Sequence, residues 1–229
     1  MKAVLIESHE IASEVRHFVF ETPGVARLHF KPGQFVSFSE TLAGKTITRA
    51  YSIASLPDTN RFELCLNLVH EGMFSPHLFA MRPGDSVTMS EPLGFFTIRN
   101  PAKDALFVAT GTGIAPFRAM APDYLSHPHA RELTLLFGVR HESSIYYRLD
   151  FEKLASRYSG FRFWPTLSRA DSSWSGRTGH VQTHLLEAIG EGRDLDVYIC
   201  GLKAMVDDVR GILKSLGFDR KQIIFEKYD

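Results

Sequence analysis

Cysteine is scarce in this sequence. Cys65 and Cys200 are the only two in 229 residues, which excludes a disulfide framework and a four-cysteine iron–sulfur cluster. A charge excess is missing as well. The 26 Lys and Arg residues balance the 26 Asp and Glu residues, so composition gives no sign of nucleic acid or an anionic membrane as partner. Long hydrophobic runs are also absent, and the apolar stretches are of strand length, too short to span a bilayer. Met1-Lys2-Ala3-Val4-Leu5-Ile6-Glu7 meets charge too early to read as a secretory signal. The ten histidines show no metal-ligand spacing, and hydrogen-bonded or solvated imidazoles explain them. The expectation is a cytoplasmic, monomeric protein with no metal, nucleic-acid or membrane partner.

What is present has two textures. Hydrophobic residues make up 44% and charged residues 23% of the chain, ordinary values for one large domain or two modest ones. Through residue 101 the sequence reads as short strands rich in Val, Phe, Ile and Thr. Pro23-Gly24, Pro32-Gly33, Pro57-Asp58 and Pro83-Gly84 punctuate them as turns. Phe62, Leu64, Leu66 and Leu68 alternate onto one face, and Phe95–Ile98 reads as the last strand. Many short strands at this spacing predict an antiparallel β-barrel over 1–101. From 102 to 229 continuous apolar runs such as Ala105–Ala109 and Leu133–Val139 read as strands covered on both faces. Helical patterns alternate with them, at 115–126 (with Pro122 expected to kink or end it), 149–158, 181–189 and 204–216. That alternation predicts a doubly wound parallel sheet.

Two motifs carry chemistry. In Arg49-Ala50-Tyr51-Ser52-Ile53-Ala54-Ser55, strand alternation puts Arg49 and Tyr51 on one side and Ser52 on the other. A cation and an aromatic ring on one face, with a hydroxyl beside them, suit a phosphate-bearing planar cofactor such as a flavin. In Gly111-Thr112-Gly113-Ile114-Ala115-Pro116-Phe117, a glycine turn follows a buried strand and opens a helix, with Pro suited to the first helical turn. Such a turn lets backbone approach a pyrophosphate, and the helix dipole favours its charge. It is not the Rossmann fingerprint, because Pro116 stands where the third glycine would be.

On these two motifs the sequence resembles the ferredoxin–NADP reductase family, whose flavin strand reads Arg-x-Tyr-Ser-x-x-Ser. The resemblance runs over nearly the whole chain. It implies an FAD-binding barrel domain followed by a nucleotide-binding α/β domain. It implies that Arg49 holds flavin phosphate, Tyr51 lies against the flavin and Ser52 hydrogen-bonds near its N5, with Ala50 between them in the site. The family's second flavin segment is matched by Gly72-Met73-Phe74-Ser75, a turn whose N–H groups and hydroxyl can cradle pyrophosphate. Thr112 and Gly113 fall in the pyridine-nucleotide loop. Cys200, in Tyr198-Ile199-Cys200-Gly201, matches a cysteine beside the nicotinamide C4, although Leu202 and Lys203 replace the family's usual Asn and Pro.

Ser168-Arg169 corresponds to the pair that grips a 2′-phosphate in NADP-using relatives, with Arg177 as a second cation. NADP is the expected nucleotide, and NAD stays open. Glu226 and Tyr228 match the family's C-terminal Glu-x-Tyr, in which the ring stacks on the flavin; here Asp229 follows the Tyr. Ser52, Cys200, Glu226 and Tyr228 are therefore the expected catalytic set. The resemblance implies hydride exchange between NAD(P)H and FAD, and single electrons passed to or from a separate ferredoxin or flavodoxin. Three alternatives stand beside it: an NAD(P)H:flavin reductase, which the Trp174-x-Gly176-Arg177-Thr178-Gly179 stretch resembles; the reductase component of an oxygenase system; and a non-enzymatic cofactor-binding regulator.

Overall fold

The computed structural model describes residues 1–228; Asp229, noted above as the residue beyond Tyr228, lies outside them. The chain forms two compact units, Met1–Thr97 and a second that begins at Ile98. Arg99 belongs with the second unit for a clear reason. Its N–H donates to the Tyr198 hydroxyl at 2.9 Å and its guanidinium to the Lys221 carbonyl at 2.7 Å.

The first unit is an antiparallel six-stranded sheet. Its strands are β1 (Lys2–Ala12), β2 (Val15–Glu21), β3 (Phe35–Leu42), β4 (Lys45–Ser52), β5 (Arg61–Asn67) and β6 (Ser86–Met89), with helix α1 (Phe74–Ala80) before β6. The order is β4-β3-β6-β1-β2-β5. A bridge between Ile53 and Leu64 brings the two edges together, which rolls the sheet toward a barrel and shields its edge groups. Inward positions alternate along each strand, so Phe18, Phe20, Val36, Phe38, Phe62 and Leu64 reach zero exposure in the core. The rings of Phe20, Phe38 and Phe62 meet at centroid distances of 5.0–6.3 Å, a packing typical of aromatic cores.

The expected strand at Phe95–Ile98 does not form. Leu93 makes a two-way backbone pair with Phe35, and Gly94 then turns away at φ +107°. Phe95 is left 95% exposed while Phe96 is buried.

The second unit is a parallel sheet of β7 (Asp104–Thr110), β8 (Leu133–Val139), β9 (Phe161–Leu167), β10 (Arg177–Thr178), β11 (Leu195–Leu202) and β12 (Ile223–Tyr228). Its order is β10-β9-β8-β7-β11-β12. Helices α2 (Ala115–Ser126), α3 (Arg148–Arg157), α4 (Val181–Ile189) and α5 (Lys203–Ser215) connect the strands. β8 is buried at every position, as a parallel strand sheathed on both faces requires. Pro122 does not end α2, which runs on to Ser126; the missing N–H removes one bond in a helix already held by Phe117, Met120 and Tyr124 in the core. The two-residue strand β10 is too short to leave a periodic signal. β12 extends through Glu226 and Tyr228, so this segment is a strand rather than a frayed tail.

Phe107 centres one side of this sheet. Its ring lies 4.7 Å from Phe117, 5.4 Å from Tyr198 and 6.5 Å from Tyr124. Phe107→Ala is expected to cost about 3–5 kcal/mol of stability, read as a lower midpoint in urea unfolding.

Candidate functional site

Each unit gathers one set of the residues singled out in the sequence. In the first, β4 pairs with β3 so that Arg49 lies opposite Phe38, Tyr51 opposite Val36 and Ser52 opposite Phe35. Arg49 and Tyr51 thus share a face, and Ser52 takes the other. Arg49 and Ala50 are exposed, Tyr51 is half-buried and Ser52 is buried. The Tyr51 ring stands 5.8 Å from Phe38 and 6.2 Å from Phe74. Since Phe74 begins α1, this contact joins the strand motif to the Gly72–Ser75 turn. Burial pushes the Tyr51 phenol well above its usual pKa, against the opposing pull of the Arg49 charge. The hydroxyl therefore stays protonated and able to donate.

Ser75 builds the turn. The Val69 N–H donates to its Oγ at 2.8 Å, and the Gly72 N–H donates to the Val69 carbonyl at 2.9 Å. Its oxygen thus accepts from the backbone, while its O–H, 3.5 Å from the Val69 carbonyl, keeps a proton to donate. Met73 precedes α1 and no side chain caps the helix; Pro76 has no N–H, so Phe74 and Ser75 are the first-turn residues with a backbone donor to offer an anion. The Arg49 guanidinium, exposed and bonded to its neighbour Thr48 carbonyl at 2.9 Å, supplies a cation on the same strand. This donor set fits a dinucleotide carrying a planar ring and a pyrophosphate.

In the second unit β11 runs between β7 and β12, with Cys200 opposite Ala109 on one side and Glu226 on the other. The register sets Cys200 beside Glu226, and Tyr228 reaches the same thiol. Burial, then the Glu226 charge, pushes the Cys200 thiol well above its usual pKa, while a side-chain hydrogen bond with Tyr228 acts the other way. Cys200 is therefore a protonated thiol at neutral pH, not an activated nucleophile.

The glycine turn packs directly on this strand end. Residues Gly111–Ile114 form a single tight turn that runs into α2. A Cβ placed on Gly113 would lie 2.4 Å from the Cys200 carbonyl oxygen and 2.7 Å from the Gly201 Cα. Gly201 itself sits at φ +144°, and a Cβ there would meet the Thr110 hydroxyl at 2.4 Å. That hydroxyl is buried without a hydrogen-bond partner among the described residues. A buried unpaired hydroxyl at the carboxyl end of a doubly wound sheet is a ready contact for a polar ligand group. Thr112 stays half-exposed in the turn, and its carbonyl accepts the Ala115 N–H.

The three residues assigned to a 2′-phosphate separate. Ser168 and Arg169 are exposed just past the end of β9. The Arg169 N–H donates to the Arg140 carbonyl at 2.8 Å, which brings in an exposed arginine that sequence reasoning missed. Its signal was the position: one residue beyond the buried strand Leu133–Val139, on the edge where such sheets bind ligands. Arg177 is engaged elsewhere. Its guanidinium lies 3.7 Å over the Trp164 ring and 2.6 Å from the Glu187 carboxylate.

The described residues include no helix long and apolar enough to cross a membrane and no His, Cys, Asp and Glu group suited to a metal. Residues 2–98 match the family model of oxidoreductase FAD-binding domains, and 107–211 that of oxidoreductase NAD-binding domains. Over its full length the chain is 40% identical to ferredoxin–NADP reductase B of Sorangium cellulosum (strain So ce56), covering 97% of that protein. The chain belongs to the ferredoxin–NADP reductase family. It is an FAD- and NAD(P)-binding oxidoreductase by its domains. It is also 27% identical to the toluate 1,2-dioxygenase electron transfer component of Pseudomonas putida, over 99% of this chain and 67% of that one. Among solved structures it superposes on the Amycolatopsis cytochrome P450 reductase GcoB with a TM-score of 0.89 at 29% identity, covering 99% of this chain and 69% of that one. The fold of a Neisseria gonorrhoeae ferredoxin NADP+ reductase with bound FAD and NADP agrees at a TM-score of 0.85 and 23% identity, over 99% and 98% of the two chains.

Two outcomes follow for the second unit. Gly113→Ala forces the turn off the Cys200–Gly201 backbone, at about 1–3 kcal/mol for overpacking. Calorimetric titration with NADP+ is expected to show a Kd raised about tenfold, corresponding to about 1.4 kcal/mol. The raised Cys200 pKa also gives stability a pH slope. The native thiol keeps its proton while the unfolded one loses it near pH ~8.5, so the native state binds more protons and stability falls as pH rises past that point. Melting temperatures from pH 8 to 10 are expected to decline, and less steeply in Cys200→Ser.

Proposed function

We propose that this chain is a ferredoxin- or flavodoxin-linked NAD(P) reductase with retained FAD. The observation that carries this reading is the β11–β12 register, which sets the Cys200 thiol, the Glu226 carboxylate and Tyr228 together at the carboxyl end of the sheet. When bound, FAD would supply the hydride-accepting and one-electron chemistry that links a nicotinamide to a single-electron partner.

The protein's part is binding and alignment. Arg49 and the open first turn of α1 hold flavin phosphates, and the Tyr51 ring gives the flavin a flat support. Ser52, on the opposite side of the strand from Tyr51, offers a hydroxyl to the ring edge. The glycine turn with Thr112 and Gly113 receives the nucleotide pyrophosphate. Cys200 presents a small, neutral side chain to the nicotinamide, and Glu226 holds a proton-accepting carboxylate beside it. Tyr228, on the same strand, guards the approach to this group. Ser168, Arg169 and Arg140 offer cationic and hydroxyl groups to a 2′-phosphate, which favours NADP over NAD.

The exposed Phe95 supports a protein as the electron partner. It lines a cavity of about 470 Å³ with His29 and the cationic Arg27 and Lys31, an apolar contact beside two positive charges and suited to an acidic carrier. Similarity to the toluate dioxygenase component over 99% of this chain favours a second reading, the separate reductase of an oxygenase system.

The deciding test is the absorption spectrum of the purified protein, followed by anaerobic NADPH or NADH. The expected result is a retained flavin that bleaches faster with NADPH. In Ser52→Ala the flavin is expected to remain bound but be reduced about 10–100-fold more slowly, the loss of one hydrogen bond. Colourless protein that oxidises NAD(P)H only with added flavin would instead identify a flavin reductase. Retained flavin that neither nucleotide reduces would overturn both.

A further inference from the structure

Arg177 stands at a point from which it can serve either of two partners. Its backbone in β10 lies opposite Thr166 of β9, so the two side chains leave the same face of the sheet. Trp164 lies two residues before Thr166 and Ser168 two residues after it. Trp164 therefore sits on that face too, about 7 Å along the strand from Thr166, and Ser168 lies just past the strand's end at Leu167. A side chain as long as arginine, rooted midway, reaches in either direction. In this structure it is turned back: the guanidinium stacks 3.7 Å above Trp164 and its Nη2 donates to Glu187 of α4 at 2.6 Å. The arrangement is incomplete, because the Arg177 Nε is buried without a hydrogen-bond partner among the described residues. The fork is thus held by one carboxylate contact, not gripped bidentately.

We infer that Glu187 is a specificity-determining residue for the nucleotide, holding Arg177 stowed on Trp164 and out of reach of a 2′-phosphate at Ser168–Arg169. This rests on the nucleotide reading above and deepens it. A dinucleotide bearing a 2′-phosphate gains Arg177 as a ligand only by breaking the ion pair. One lacking that phosphate has no use for Arg177 and is indifferent to Glu187. The restraint is of a strength a phosphate can overcome, since the Glu187 side chain is 57% exposed and exposed ion pairs are weak. The phosphate offers Arg177 a doubly charged, bidentate partner in exchange. His184 also faces Glu187, with its Nδ1 3.9 Å away, and donates from Nε2 to the Thr178 carbonyl at 2.9 Å; it stays with α4 in either position of Arg177.

The test is a calorimetric titration of the holoprotein with adenosine 2′,5′-bisphosphate and with AMP, which differ only by the 2′-phosphate. In Glu187→Gln, the bisphosphate is expected to bind about two- to fivefold tighter, the strength of an exposed ion pair, with AMP unchanged. Adding Arg177→Gln to that variant is expected to abolish the gain. A Glu187→Gln variant that shifts both ligands equally, or neither, overturns the inference. So does a gain that persists in the double variant, since that reports only a changed field around the site. Matching thermal melts show that Glu187→Gln has not acted by loosening α4. Flavin reduction by NADPH and NADH in the same preparation tests the reductase reading on its own. Its failure with the ligand difference intact would overturn that reading and leave the role of Glu187 standing.

Discussion

The close approach of the Gly113 turn to the Cys200–Gly201 backbone is the constraint on which the arrangement at the carboxyl end of the second unit's sheet depends. Only a residue without Cβ lets the turn settle on the strand end, and only Gly201 leaves room for the Thr110 hydroxyl beside it. Once those surfaces meet, the parallel ladder does the rest. β7 fixes β11, and β11 fixes β12, so Glu226 arrives opposite Cys200 through register alone. The helix opened by the turn then anchors the assembly through Phe117 against Phe107.

The first unit uses a different device. Its strand motif ends at Ser55 and its helix-turn motif begins at Gly72, and the Tyr51–Phe74 ring contact joins them. Alternation along β4 does the sorting. It sends the aromatic ring toward the core side, where Val36 and Phe38 support it, and the serine to the opposite side near Phe35. The Ser75 oxygen accepts the Val69 N–H and so stiffens the turn that leads into α1, whose first turn no side chain caps.

Much of this was legible in the sequence because it rests on period and on local turn chemistry. Buried parallel strands announce themselves as unbroken apolar runs, and Gly-Thr-Gly before Ile-Ala-Pro-Phe marks a strand-to-helix turn. What stayed hidden depends on register or on partners far away in sequence. Phe95–Ile98 has strand composition, yet the Leu93 pairing and the Gly94 turn use up the available ladder. Arg140 carries no motif and gains significance only because β8 and β9 end side by side. Arg177 reads as one more cation near Arg169, and nothing local reveals that Trp164 and Glu187 hold its guanidinium. β10, with two residues, has no periodicity to read.

β12 has a further consequence, one of timing. It is synthesised after every other strand of its sheet, yet it carries Glu226 and Tyr228 and forms the outer edge beside β11. Until it docks, β11 is an open edge with unpaired backbone groups along a nearly all-apolar strand, the kind of surface that recruits stray chains. The growing chain therefore exposes β11 until β12 docks, and the same event brings Glu226 beside Cys200. Covering β11 and placing the carboxylate beside Cys200 happen together, and the exposed edge passes to the six-residue β12.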